Sequence, residues 1–378
     1  MTIAETVLTA EPAWAPGAGA VPGGAAPRAF HATFGEYAVT PLREAPACAA
    51  GLGVARVVVK DESARMGLPA FKILGASWAV RKAIVRHAGL ADDAAMSLEA
   101  LREVCAGLGE RAPRLCTATD GNHGRAVARM ARLLGLRATI FMPAGAAQAR
   151  VDAIAGEGAE VHVLDGGYDD AVAWAAREAE DGATLIISDT SWPGYTDVPR
   201  WVIEGYATLF AEIAEQTAAA GEGAGAPTVV ALPVGVGALA AAGVRHYAGA
   251  GTRLVSVEPT RAACVLESVR AGALRTVDAP EHSVMAGLQC ETPSLVAWDE
   301  LRHGFAAYVA IDDARVPEAL HLLQADGIVA GETGAAALAG LLLLRDRGEL
   351  APDDRALVLC TEGATDPAGR ARLLAASA

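Results

Sequence analysis

Cysteine is sparse in this chain. Six occur in 378 residues, Cys48, Cys105, Cys116, Cys264, Cys290 and Cys360, and no Cys-x-x-Cys pair is among them. That excludes a disulfide scaffold and the usual zinc-ligand spacings, and leaves reduced, mostly buried thiols as the expectation. Positive charge is also short: 31 Lys and Arg stand against 45 Asp and Glu, a net charge of −14. An acidic chain without a long basic run is a poor nucleic-acid binder. Long apolar runs are missing too. The stretches 229–243 and 335–344 are glycine-broken or too short for the ~20 residues a membrane span requires. No basic stretch precedes an apolar core near residue 1, so no signal peptide is expected and a cytoplasmic setting is. Gly-x-Ser-x-Gly is absent, which removes a nucleophile elbow. His162, His246, His282, His303 and His321 have no partner pattern, and Asp312-Asp313 and Asp353-Asp354 read as solvated loop charges. No metal site is expected.

What the chain does have is 52% hydrophobic content, enough for a large core, and a length that favours about two domains. Residues 1–29 are rich in Ala, Pro and Gly and read as a flexible arm. From Phe30 onward strand-like and helix-like segments alternate. Strands are expected at 57–59, 115–118, 138–142, 161–164, 185–188, 228–232, 254–257 and 356–360, with a surface loop at 221–227. This alternation argues for an α/β fold with largely parallel sheets.

Three segments carry chemistry. The first is Gly67-Leu68-Pro69-Ala70-Phe71-Lys72-Ile73-Leu74-Gly75, in which Lys72 is the one charge. Taken alone, a lysine near a helix start turns its amine to solvent. In apolar surroundings, however, the ammonium is disfavoured, and a neutral amine can form a Schiff base with a carbonyl. The second segment is Gly235-Val236-Gly237-Ala238-Leu239. It follows a buried strand and opens a helix, where free N–H groups can bind phosphate. It lacks the Gly-Lys-Ser/Thr of a P-loop and the third glycine of a dinucleotide fingerprint. The third is Thr119-Asp120-Gly121-Asn122-His123-Gly124, just past a strand, where open α/β sheets bind ligands. Asp189 ends another strand. Together these point to a pyridoxal-phosphate site.

These residues resemble the diaminopropionate ammonia-lyase family, fold type II (tryptophan synthase β-like) pyridoxal-phosphate-dependent enzymes. The matching stretches are Asp61-Glu62-Ser63 with Arg65, the Lys72 segment, Thr117 through Arg125, and Gln148 through Ile154. Further matches are Tyr168-Asp169-Asp170, Asp189 through Tyr195, Gly235-Val236-Gly237-Ala238, Met285 through Leu288 with Cys290, and Thr361-Glu362-Gly363. The resemblance implies two open, mostly parallel α/β domains with the active site between them. Residues 30–85 and 191–378 would form a large cofactor-binding domain and 86–190 a small inserted one.

It also implies pyridoxal 5'-phosphate as cofactor, held by Lys72 as an internal aldimine. Phe71 would lie beside the ring and Asn122 would bond its phenolic oxygen. Gly235, Val236, Gly237, Ala238 and Leu239 would hold the phosphate, and Cys360 or Thr361 would face the pyridine nitrogen. Lys72, Asp120 and Asp189 would be catalytic, and Thr119, Asp120, His123, Tyr168 and Asp189 would contact an amino-acid substrate. The implied reaction is α,β-elimination of ammonia from D- or L-2,3-diaminopropionate, through an aminoacrylate, to pyruvate and ammonia. Cys264 and Cys290 match two cysteines that can pair in the family, a bridge not assumed in a reducing cytosol. A homodimer is expected, and neither nucleic acid nor membrane is expected as a partner. Ala76, Trp78, Ala364 and a short 312–331 stretch depart from the family pattern. A serine/threonine-type dehydratase, a β-replacement enzyme and a non-catalytic binder of the cofactor or an amino acid stay open as alternatives.

Overall fold

The computed structural model describes residues 3–15, 24–221 and 225–376. In chain order its strands are β1 (Thr6–Thr9), β2 (Leu42–Glu44), β3 (Arg56–Asp61), β4 (Arg114–Ala118), β5 (Ala138–Met142) and β6 (Glu160–Val163). They continue with β7 (Thr184–Ile186), β8 (Val229–Pro233), β9 (Arg253–Pro259), β10 (Ala307–Ile311) and β11 (Arg355–Cys360). The chain divides into two units, Met1–Pro22 with Val39–Arg65 and Leu209–Ala378, and Gly23–Ala38 with Met66–Thr208.

The first unit carries a seven-stranded sheet in the order β1-β10-β9-β8-β11-β3-β2. Its five inner strands run parallel, with Val358 beside Val59 and Val309 beside Val257. Those strands are β-branched and apolar on both faces, as a parallel sheet covered on both sides requires. The helix Ala336–Asp346 is apolar all round and buried from Ala336 to Leu344, the pattern of a core helix. It lies so close to β9 that a Cβ on Gly340 would fall 2.4 Å from Val257 Cγ2.

Residues 1–29, expected as a flexible arm, are in part ordered. Thr6–Thr9 forms an antiparallel edge strand on β10, Thr6 beside Ala310, and Arg315 Nη2 donates to the Glu5 carboxylate at 2.9 Å. The β-branched Thr-Val-Leu-Thr run was outweighed by its Ala/Pro/Gly-rich flanks. The helix Ala25–His31 begins before the arm's expected end, and residues 16–23 lie outside the described residues. The loop expected at 221–227 also falls partly outside them, at 222–224.

The second unit carries a four-stranded parallel sheet, β6-β5-β4-β7. It is wider than the 86–190 stretch expected of an inserted domain. The helix Lys72–His87 buries Ile73, Leu74, Trp78, Val80 and Ile84 and packs along the helix Asn122–Leu134. Among the described residues no helix is long and apolar enough to cross a membrane.

Candidate active site

In the four-stranded sheet the chain runs from β4 outward through β5 to β6, then returns to place β7 on the other side of β4. The C-terminal ends of β4 and β7 therefore meet where strand order reverses, the position at which open α/β sheets bind ligands. β4 delivers the polar run at 119–124. The Thr119 hydroxyl accepts the N–H of Gly121 at 2.9 Å and of Gly124 at 3.0 Å, which folds the loop onto the helix Asn122–Leu134. A Cβ on Gly124 would sit 2.3 Å from Thr119 Cγ2, so only glycine fits there. Asp120 and Asn122 flank this turn, half-buried, at the helix N-terminus.

β7 delivers Asp189. Its position is fixed from behind by Tyr195, whose hydroxyl donates to Ile186 O at 2.8 Å and accepts from Ser188 N at 3.1 Å. The Tyr195 ring is stacked on Trp192 at 4.3 Å. Lys72 begins its helix, with Phe71 at the cap. Lys72 Nζ donates to Asp189 Oδ2 at 2.6 Å. On the other carboxylate oxygen, the Tyr168 hydroxyl donates at 3.5 Å.

His123 Nε2 lies 2.7 Å from Ile187 O. A carbonyl can only accept, so Nε2 carries the hydrogen. Its Nδ1 then faces Asp189 Oδ2 at 3.9 Å and is buried without a hydrogen-bond partner. Burial opposes ionisation of Asp189, but the Lys72 ammonium and His123 outweigh it and hold the carboxyl at about 2. Burial lowers His123, and the charge of Lys72 adds to this against the pull of Asp189. A carboxylate at contact favours the charged form of an amine.

The other expected residues lie in the seven-stranded unit. There β8, β9 and β10 run one way and β11 lies on the opposite side of β8, so the ends of β8 and β11 form that sheet's own reversal point. After β8 come Gly235-Val236-Gly237 and the helix Ala238–Tyr247, whose cap, Gly237, has φ +100°. A Cβ on Gly237 would meet Leu301 Cδ1 at 2.4 Å, and one on Gly235 would meet Cys290 Sγ at 3.0 Å. The turn is thus a bare-backbone cradle at a helix N-terminus, suited to an anion. At the end of β11 the Cys360 thiol donates to Glu362 O at 3.4 Å and sits in the hydrophobic core. The neighbouring Thr361 hydroxyl is buried and has no hydrogen-bond partner. Cys264 and Cys290 are not joined in a disulfide. Burial pushes Cys264 well up, with Glu258 and Cys290 adding to the rise. Among the described residues no cluster of three His, Cys, Asp or Glu could hold a metal ion.

The chain has three lysines, Lys60, Lys72 and Lys82. Lys60 is fully buried against Glu212, and Lys82 pairs with Asp92 and lies over the ring of Trp201. Lys72 is the lysine at a strand-end site.

Residues 33–362 match the family described as pyridoxal-phosphate dependent enzymes. The chain is 36% identical over 357 residues to the diaminopropionate ammonia-lyase of Escherichia coli (strain K12), covering 90% of this chain and 88% of that one. The chain belongs to the diaminopropionate ammonia-lyase family. The Salmonella typhimurium (strain LT2) member is 33% identical over 366 residues, with 90% and 88% covered. The crystal structure of the Escherichia coli diaminopropionate ammonia-lyase in complex with D-serine superposes with a TM-score of 0.87 at 32% identity, covering 100% of this chain and 99% of that one. The protein is therefore a fold type II lyase whose cofactor is pyridoxal 5'-phosphate. Its residues fit that group: an amine, a side-chain-free anion cradle and an unpartnered buried Thr361 hydroxyl are all present.

Sequence reasoning assigned no role to Tyr195, although it lay within a matching stretch, and did not find Tyr206. The ring of Tyr206 packs on Phe71 at 4.8 Å. Its one sequence trace is Gly205 beside it, a small residue at a helix crossing, which is a weak signal.

Proposed function

We propose that the protein eliminates ammonia from D- and L-2,3-diaminopropionate, consuming water and giving pyruvate and two molecules of ammonia. The observation that carries this reading is the 2.6 Å pair of Lys72 with the buried Asp189 at the strand-end reversal point. Bound pyridoxal phosphate supplies an electron sink that acidifies the bond between the α-carbon and its hydrogen.

In this reading Lys72 holds the cofactor covalently and, once released, takes the α-proton on Nζ. Asp189 stabilises the ammonium that results. Asp120 serves as the second carboxylate, a proton acceptor on the opposite face and a charge partner for the substrate's β-ammonium. That charge match favours a diamino acid over serine or threonine. Asn122, Phe71 and the N–H groups of Gly235, Val236, Gly237, Ala238 and Leu239 hold the cofactor. Thr119, His123 and Tyr168 line the substrate side. Thr361 rather than Cys360 faces the pyridine nitrogen, supported by its unpartnered hydroxyl and by the Cys360 thiol's bond to Glu362 O. Neither group is a strong acid, so neither would protonate that nitrogen. A cytoplasmic homodimer belongs to the same reading, and six cysteines outside any disulfide support a reducing compartment.

The test is a panel of D- and L-2,3-diaminopropionate, serine and threonine, incubated with the holoenzyme and scored for 2-oxo acid and ammonia. Both diaminopropionate enantiomers should give pyruvate fastest. Turnover confined to serine or threonine would replace this reading with a dehydratase.

A further inference from the structure

Two buried polar atoms without partners lie beside the Lys72–Asp189 pair, His123 Nδ1 and the Tyr206 hydroxyl. The first faces Asp189. The second has so far been given no task. Tyr206 lies on the helix Asp197–Ala219 and is 0% exposed. A Cβ on Gly75 would fall 2.6 Å from Tyr206 Cε1 and 2.7 Å from Cζ. The hydroxyl-bearing end of the ring is therefore pressed against the first turn of the lysine helix. The crossing is tight because Gly205 meets Leu74, where a Cβ would come 2.4 Å from the carbonyl oxygen. Phe71, whose ring carries Lys72 Nζ at 5.5 Å from its centroid, packs on the same tyrosine. The phenol is pushed up by burial and senses the charges of both Lys72 and Asp189. A phenylalanine would fill this space without stranding a hydroxyl.

Asp189 can only accept hydrogen bonds, so it can take an N–H of Lys72 but can offer nothing to the lone pair that the amine gains when it loses its proton. A hydroxyl both accepts and donates. It can accept from the ammonium and donate to the lone pair of the free amine. We propose that Tyr206 is a positioning residue for Lys72, its hydroxyl being the partner that holds Nζ when the amine leaves Asp189. The inference rests on the proposed role of Lys72 as the residue that captures pyridoxal phosphate. Among the described residues, the titratable groups around Lys72 include Asp189, His123 and Tyr206, with Tyr168 on the far oxygen of Asp189.

The experiment follows capture of pyridoxal phosphate by apo-protein through its visible absorbance, across pH, in wild type and Tyr206→Phe. Borohydride fixation and Lys72→Ala identify the attachment point. Losing the donor to the free amine favours the charged form, so Tyr206→Phe should capture the cofactor about tenfold more slowly at neutral pH, with the midpoint moved about one unit alkaline. Its Tm should equal or exceed that of wild type, because an unbonded buried hydroxyl is removed. Unchanged capture with a raised Tm would reduce the hydroxyl to a packing remnant and overturn the proposal. A lowered Tm would also overturn it, by showing the hydroxyl bonded in the resting protein. Wild type that fixes no cofactor on Lys72 would instead sink the proposed function, a result that does not depend on Tyr206.

Discussion

Two lysines are paired with carboxylates inside this protein, and the contrast between them separates a structural cluster from a reactive one. In the seven-stranded unit all three donors of Lys60 are used, on Glu212 at 2.8 Å, Thr40 O at 2.9 Å and Gln216 Oε1 at 2.9 Å. Arg65 completes the network through Glu62, Glu212 and the Thr40 hydroxyl. Every charged side chain in it is 0% exposed. In the four-stranded unit the Lys72 side chain is 21% exposed, and the surrounding His123 Nδ1 and Tyr206 hydroxyl are unpartnered. The first cluster is saturated, so it can only hold. The second has unused hydrogen-bonding capacity, so the amine can move between partners.

Breaking each lysine should give opposite phenotypes. Lys72→Ala should abolish covalent cofactor fixation and cut turnover at least ~10³-fold. It should cost about 2 kcal/mol of stability, because the buried Asp189 loses the ammonium that keeps it ionised while the partly exposed amine site can admit water. Borohydride trapping and urea denaturation measure the two effects. Lys60→Met should do the reverse. It strands charge in a saturated network, costs about 3 kcal/mol in urea and leaves cofactor fixation intact.

A second pair compares the carboxylates. Asp189→Asn should reduce turnover about 10²-fold with pyridoxal phosphate still bound. Glu212→Gln should act on stability alone, and lost turnover in the folded Glu212→Gln protein would break the contrast.

The smallest expected effect is in acid, where the clusters should behave alike. Burial opposes ionisation of both carboxyls, yet Arg65 and Lys60 hold Glu212 at about 2 and Lys72 holds Asp189 at about 2. A carboxyl lowered by folding contributes stability that is full above its unfolded value and lost as pH falls through the folded one. Each should therefore add an acid limb running from about pH 4.5 (Glu212) or 3.8 (Asp189) down to about 2. Glu212→Gln and Asp189→Asn should each flatten that limb in pH-dependent urea titrations, Glu212→Gln the more because its carboxyl is lowered further.

The inner strands were legible because their β-branched runs need no distant partner to be recognised. β1 was not, because four residues in an Ala/Pro/Gly-rich stretch become a strand only against β10. The run at 119–124 was legible because its polar density sits beside a strand end in the sequence itself. The Lys72–Asp189 pair spans 117 residues, and its members could be joined beforehand only through family resemblance. Tyr206 left almost no trace, because its significance lies in where Gly75 and Gly205 let two helices cross. Composition near Lys72 could not foresee a carboxylate brought to it by β7.

The strand orders also set a timetable for synthesis. The four-stranded sheet is complete once β7 has emerged, at Ile186. β3, by contrast, finds its parallel partner only when β11 arrives, near the chain's end, with Cys360 beside Asp61. β1 waits for β10, some 300 residues downstream. Domains fold as units while the chain grows, at roughly 5–20 residues per second. The four-stranded sheet can thus be finished on the ribosome, while for many seconds β1 and the β2–β3 pair wait for the strands that join them into one sheet.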